Sequence, residues 1–494
     1  MSGLNHIYRL VWDQVREAWV PVAEHCKSAG RTGVRRAALT GKLAILAIAV
    51  VPPVLQAYTG EVDNGVVVTG EVLTSGNVQN VNDGGTANAT AVSSAGLQNV
   101  SAGGTTNDTI LHDGGTQDVY TGGLANNTVV STGGTQNLSG GMTTGAVVEG
   151  GYTHTTPSDW VGYGGNQNVY ADGSAMGTTV NPGGSQTIHA GGYAQDTILT
   201  GGSQGYYQPI DPATGLPEVD DDGNPVMALH LGGYQTVLAG GIASGTSAIS
   251  GGFQYVSGGV AISSQLLTGG RQYVLAGGSS IDNTVHTGGT MGVLDGGLAE
   301  GTIIDGGYQF VNAADASNAA SANNTTIMNG GDQAVRDKGG RATSTTISSG
   351  GAQVVSNFGE VTSTWVLSGG VQNVASNGTA TSSTVSSGGT MGVQAGGTAQ
   401  DTVIDGGYQY VGGSGAHAVN TTIMSGGLQN VRSSGTASDT TIMSTGRQNV
   451  YSSGIVTSTR IEGGGRRTSM VEELQTQPGC TLAVLKTSVA VRPI

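Results

Sequence analysis

Between about residues 60 and 465, apolar and polar positions alternate in short bursts, cut by glycine, and most of these recur after 18 to 20 residues. Each copy reads Gly-Gly-x-Gln-x-Val, a short polar stretch, Gly-x-Ala, then Thr-x-Ile before the next Gly-Gly. The Gln position is filled 17 times from Gln79 to Gln448, and Met291 and Met391 occupy it in two further copies, giving 19. Two steps of 31 residues, from Gln136 to Gln167 and from Gln204 to Gln235, each hold an insertion, at about 139–163 and 205–231.

This period is too short for paired-helix repeats, which need about 33 residues. Alternation over two residues, with β-branched residues between glycines, predicts short strands. Successive strand side chains point to opposite faces, so the Gln and the aliphatic residue two positions on share one side. The aliphatic column (Val81, Val100, Val119, Val431 and their equivalents) is interior on that reading. The Gln column then faces inward too, or sits at the corner beside Gly-Gly. Stacked amides satisfy one another from coil to coil, whereas an unpaired buried group costs about 1–3 kcal/mol. The intervening residues, among them Asn80, Asn99, Asp118, Tyr255, Tyr273, Phe310 and Tyr410, point outward. The expected fold is all-β: a right-handed parallel β-solenoid of about 19 coils, stabilised by stacking of neighbours.

A different pattern precedes the repeats. Residues 43–51 form an apolar run behind Arg35, Arg36 and Lys42, followed by Pro52-Pro53 and Gln56-Ala57. A positive region, a short apolar core and a small exit residue describe a secretory signal, and the run is too short to span a bilayer as a helix. Cleavage is expected after Ala57, so the organisation reads as an extended signal peptide at 1–57, repeats at 58–465 and an aberrant tail at 466–494.

Composition narrows the class. Glycine supplies 88 of 494 residues, and charged residues make up 10% of the chain against about 25% in ordinary globular domains. Collagen is excluded because its glycine is strictly every third residue and proline abundant, and only 11 prolines occur here. Residues 58–461 carry seven basic against 27 acidic residues, a net −20, which repels phosphate backbones and disfavours nucleic acid as a partner. The cysteines are Cys26 and Cys480; once the leader is removed, a single thiol forms no internal disulfide.

Candidate chemistry is sparse. Gly201-Gly202-Ser203-Gln204-Gly205 has nucleophile-elbow spacing, but that motif needs a strand-to-helix turn in an α/β sheet. No His-Glu-x-x-His occurs. Glu218, Asp220 and Asp222 with Gly223 half-match a calcium loop, with Leu229 where the bidentate Glu belongs; a solvated acidic hairpin is the competing reading. His154 and Trp160 in the first insertion offer a small aromatic platform for a glycan, or a tether over the solenoid edge. No catalytic, cofactor or well-formed metal site is expected, nor membrane insertion of the repeats.

Two stretches carry a family resemblance. Asn5-His6-Ile7-Tyr8-Arg9-Leu10-Val11-Trp12, then Ala18-Trp19-Val20-Pro21-Val22-Ala23-Glu24, resembles the extended signal region of large Gram-negative autotransporters, with His6 in place of Lys and Ala23 in place of Ser. Repeats such as Ser368-Gly369-Gly370-Val371-Gln372-Asn373-Val374 and Ser425-Gly426-Gly427-Leu428-Gln429-Asn430-Val431 resemble the passenger of AIDA-type, self-associating adhesins. The resemblance implies a non-enzymatic surface adhesin that mediates adhesion, autoaggregation and biofilm formation. Its implied partners are like passengers on neighbouring cells, and host or surface glycans. It further implies O-glycosylation of turn-flanking serines, for which Ser349, Ser368, Ser387 and Ser425 are the candidates.

The same family places a 12-strand outer-membrane barrel after the passenger. Here 29 residues follow Gly465, and Arg467 stands where the next Gln is due. The expectation is a truncation or frameshift within the array, with the surface reached if a translocator is present and the periplasm otherwise. Rival readings are a purely structural repeat scaffold and, with fewer features in its favour, a polysaccharide-acting β-helix enzyme.

Overall fold

The computed structural model describes residues 8–13, 18–23, 59–150, 152–156, 159–162, 164–207 and 228–469. The chain divides into two units, Met1–Val54 and Leu55–Ile494. In the first, Tyr8–Asp13 pairs antiparallel with Ala18–Ala23, from Tyr8↔Ala23 to Asp13↔Ala18. The Ala57 cleavage position, Cys26 and Cys480 lie outside the described residues.

The second unit is the expected β-solenoid. Each coil contributes one strand to each of three parallel sheets, for example Leu97–Val100, Thr105–Asn107 and Ile110–Leu111. Each strand pairs in register with its equivalents in the coils before and after: Gln117 lies between Gln98 and Gln136, and Thr106 between Ala87 and Ala125. Nineteen complete coils run from Thr59–Val62 to Arg460–Ile461, and Arg466–Ser469 adds one further strand to the first sheet.

The inward columns make the core. The first sheet supplies Val81, Val100 and Val119, the second mostly alanines such as Ala87 and Ala125, and the third Val92, Leu111 and Val130, all fully buried. The glutamines are fully buried as well. Each donates its Nε2 to the Oε1 of the preceding coil, unbroken from Gln79 to Gln272 at 2.5–2.8 Å. The Thr of Thr-x-Ile, which the pattern alone left unassigned, also points inward. Thr109, Thr128 and Thr197 donate to the Oε1 of Gln98, Gln117 and Gln186 at 3.0–3.1 Å. The carbonyls of these three glutamines thereby use both lone pairs.

Methionine breaks this ladder twice, with different outcomes. At Met291 the thioether receives Gln309 Nε2 at 3.3 Å, and the carbonyl left behind on Gln272 accepts from Ser280 and Asn283 instead. At Met391 the thioether receives Gln409 at 3.4 Å, but Gln372 Oε1 and Ser383 Oγ are buried without partners.

The structure corrects the repeat count at one place. Gln204 lies in an antiparallel hairpin of Gly201–Tyr207 and Ala228–Gly232 rather than in the ladder, and Gln186 bonds directly to Gln235. The total remains 19 because Thr59–Val62 forms an earlier coil with Gly60 opposite Gln79. The second insertion therefore starts at about residue 201. The first is confined to the hairpin of Tyr152–Thr156 and Asp159–Gly162, since Thr135–Ser139, Met142–Thr144 and Val147–Val148 are ordinary coil strands. The strand Arg466–Ser469, assigned to the tail by its sequence, continues the first sheet with Arg467 opposite Gln448.

The paired glycines have separate reasons. Gly277 has φ +79 and open space around its Cα, whereas a Cβ on Gly278 would overlap the carbonyl of Val256 one coil below. Gly278→Ala is expected to cost about 3 kcal/mol through overpacking against backbone, and Gly277→Asn, which tolerates positive φ, less than about 1 kcal/mol; urea midpoints of the two variants check this. In the same assay Met391→Gln, which supplies a donor to Gln372, is expected to stabilise by about 1 kcal/mol. Met291→Gln gains nothing, because the carbonyl of Gln272 is already filled.

Candidate interaction surface

No group of three or more His, Cys, Asp or Glu residues capable of holding a metal occurs among the described residues. The calcium candidates Glu218, Asp220 and Asp222 lie outside them. Gly201-Gly202-Ser203-Gln204-Gly205 lies along a hairpin strand, not at a strand-to-helix turn, so it lacks the geometry of a nucleophile elbow. His189 stacks on Tyr170 at 4.4 Å, and burial pushes its pKa down. His286 contacts Gln265 at 2.9 Å and Asp305 at 3.7 Å, both on adjacent coils of the third sheet. Among the described residues these groups do not bring together a nucleophile, a base and an oxyanion site.

What the solenoid presents is its outward faces. Over the first coils these carry amide ladders: Asn99 donates to Asn80 at 2.8 Å and Asn137 to Asp118 at 2.8 Å on the first sheet. On the second sheet Asn107 donates to Asn88 at 2.8 Å and Asn126 to Asn107 at 2.9 Å. The Asn80, Asn99, Asp118 and Asn137 positions are half-buried between fully buried neighbours, which puts them on the outer side as their spacing predicts.

Further along, the outer side of the first sheet turns aromatic. Phe253 and Tyr255, two residues apart on one strand, have centroids 4.1 Å apart, and Tyr273 meets Phe253 edge-on at 4.9 Å. Tyr273 and Phe310 approach to 6.0 Å across the intervening coil because that coil carries Gly292, where a Cβ would overlap both rings. The missing side chain thus lets two aromatic rings close over a bare backbone. Near the C-terminal end Arg432 lies 4.5 Å over the ring of Tyr410.

Ser349, Ser368, Ser387 and Ser425 are all exposed, each preceding a Gly-Gly turn between the third and first sheets. Ser349, Ser368 and Ser387 occupy successive coils: a Cβ on Gly369 would touch Ser349 Oγ, and one on Gly388 would touch Ser368 Oγ. Both inserted hairpins leave the solenoid at this same corner, two coils apart, and Asp159–Gly162 neighbours Gly201–Tyr207. Two coil spacings come to about 9.6 Å, close to the distance at which sheets stack face to face. The backbone pairs His154 with Trp160, and the side chains of this platform lie outside the described residues.

Comparison with known proteins locates the two characteristic segments independently. Residues 5–52 match the extended signal peptide of the type V secretion system, and residues 318–370 match the family described as "adhesin of bacterial autotransporter system, probable stalk". No curated protein matches the sequence. The crystal structure of a TibC-catalysed, hyper-glycosylated TibA fragment aligns with 28% identity and a TM-score of 0.36, over 80% of this chain and 99% of that one. The stalk match falls within the coils that carry the buried glutamine ladder, and the leader match marks the chain for export towards the cell surface. In its leader and in a stretch of its stalk-like coils the chain is similar to AIDA-type autotransporter adhesin passengers.

Proposed function

We propose that this adhesin works by self-association between passengers on neighbouring cells, giving autoaggregation and biofilm formation. The observation that carries the reading is the regular outer face of the solenoid, where uncharged amides and hydroxyls repeat from coil to coil in fixed register. Each hydrogen bond across such a face is weak. A rigid array makes their formation effectively intramolecular after the first, so avidity far exceeds any single contact. The candidate O-glycosylation sites Ser349, Ser368, Ser387 and Ser425 stand on exposed turns, where an added sugar extends the same polar surface without touching the core.

Electrostatics sets the condition for contact. A net −20 over residues 58–461 repels a second copy when the screening length is about 30 Å, and far less when it is about 10 Å. Cells displaying the chain are therefore expected to sediment faster at about 0.1 M salt than at about 0.01 M. Clumping that weakens steadily as salt rises contradicts the proposal. Peptide mass mapping of the chain from its producing strain is expected to find a sugar mass on at least one of the four serines; all four unmodified removes that part of it.

A further inference from the structure

We propose that the outer side of the first sheet, over its C-terminal half, binds an acidic, carboxylate-bearing polysaccharide through Arg271, Arg336, Arg432 and Arg447. Charge is segregated along this chain. Residues 58–270 contain 16 acidic residues and no Lys or Arg, and all seven basic residues of 58–461 fall from Arg271 onward. Four of the seven occupy outward positions of one sheet: Arg271 and Arg447 begin their strands, and Arg336 and Arg432 end theirs. Over these coils the one carboxylate at an outward strand position of that sheet is Asp332.

The other cations are neutralised or placed elsewhere. Arg341, on the second sheet, pairs with Glu360 at 3.0 Å; Arg460, on the third, pairs with Glu462 at 2.5 Å. Lys338 lies 5.8 Å over the ring of Phe358. None of the four arginines of the first sheet has a carboxylate within ion-pair distance among the described residues. An acidic protein that gathers its unpaired guanidinium groups on one side has a surface suited to an anion.

The groups beside these arginines suit a sugar. Arg336 donates to the hydroxyl of Tyr308 at 2.8 Å, and its Nε is buried without a partner. Arg432 lies over Tyr410, and Asn430 donates to the hydroxyl of Tyr408 at 3.1 Å. An aromatic face packs the apolar side of a pyranose, amides take its hydroxyls, and guanidinium groups take its carboxylate in paired hydrogen bonds. The same arrangement occurs twice. Gly292, Tyr308 and Phe310 stand 100 residues before Gly392, Tyr408 and Tyr410. Five coils separate the copies, about 24 Å along the sheet, so one extended polymer can engage both. The copies also differ at the glycine: Gly292 is covered by aromatic rings, whereas a Cβ on Gly392 would meet Asn373 Oδ1, with Gln394 Nε2 beside it. The second copy thus carries two amides at the glycine.

The proposal rests on the adhesin reading for its setting, and the two fail separately. Binding of the purified full chain to polygalacturonate, to neutral dextran and to duplex DNA is compared by affinity electrophoresis at low and physiological salt. Polygalacturonate is expected to retard the chain, and the R336Q/R432Q double variant to lose at least about tenfold in affinity. The double variant R271Q/R447Q changes only exposed side chains and keeps the test open if the first pair disturbs folding; it is expected to weaken binding in the same direction. R341Q, on the second sheet, is expected to bind as the parent does. Equal retardation by dextran or DNA, or full binding by both double variants, overturns the proposal. Cell clumping is scored on the same variants: its absence with polygalacturonate binding intact removes the self-association reading and leaves this one standing.

Discussion

The structure depends on a single requirement: polar atoms turned inward find partners inside the stack, and the glutamine amides find theirs one coil away, at the spacing of parallel strands. The glutamine ladder meets it from coil to coil, with the inward threonines taking the second lone pair of several amide carbonyls. Such a ladder enforces register. A slip of one residue would turn Gln and Val outward and carry Asn and Thr into the core. It also decides where the chain accepts extra residues. Both hairpins emerge at the corner between the third and first sheets, and the long step from Gln309 to Gln333 is absorbed in a turn containing the 3-10 segment Ala316–Asn318. None of the three interrupts the ladder: Gln167 still bonds to Gln136, Gln235 to Gln186 and Gln333 to Gln309.

With the interior so constrained, variation moves outward. The central outward position of the first sheet is Asn80, Asn99 or Asp118 early in the array and Tyr255, Tyr273, Phe310 or Tyr410 later, over an inward column that changes little. Changes at these positions alter what the surface offers without disturbing the packing that holds it. The same separation lets unpaired arginines collect on one side of an acidic protein, because each outward residue is answerable only to its neighbours in the adjacent coils. Folding and recognition thus occupy alternate residues of the same strand.

Much of this was legible in the sequence because the strand period is two. The spacing of Gln and Val assigned both to one side, and the uniform apolarity of Val81, Val100 and Val119 assigned that side to the core. The buried threonines were harder to see: Thr is ordinary at the surface, and its inward role follows only from the position of the Gln carbonyl it serves. Gln204 misled because Gly201-Gly202-Ser203-Gln204 reproduces the start of the repeat at the right interval, although its strand pairs antiparallel within a hairpin. The aromatic and arginine grouping was out of reach for a different reason. Tyr308 and Arg336 are 28 residues apart, and they meet only through the coil geometry.

The direction of the ladder adds a last constraint. Every Nε2 in it donates towards the preceding coil, so the stack presents unmatched donors at its start and unmatched acceptors at its far end. At the start Gln79 donates to Glu71 at 2.6 Å, and Asn80 beside it donates to Glu61 at 2.8 Å. At the far end Arg467, which has donors and no acceptor, lies in register with Gln448, whose Oε1 accepts from Thr459 at 3.2 Å, while the Nε of Arg467 is buried without a partner. Carboxylates where amides donate, and a guanidinium in the position that follows an amide acceptor, complement the polarity of the ladder as charged residues complement a helix dipole. Arg467 departs from the repeat as a sequence, yet its backbone keeps the register of the ladder and places a donor-only side chain where the next amide would stand.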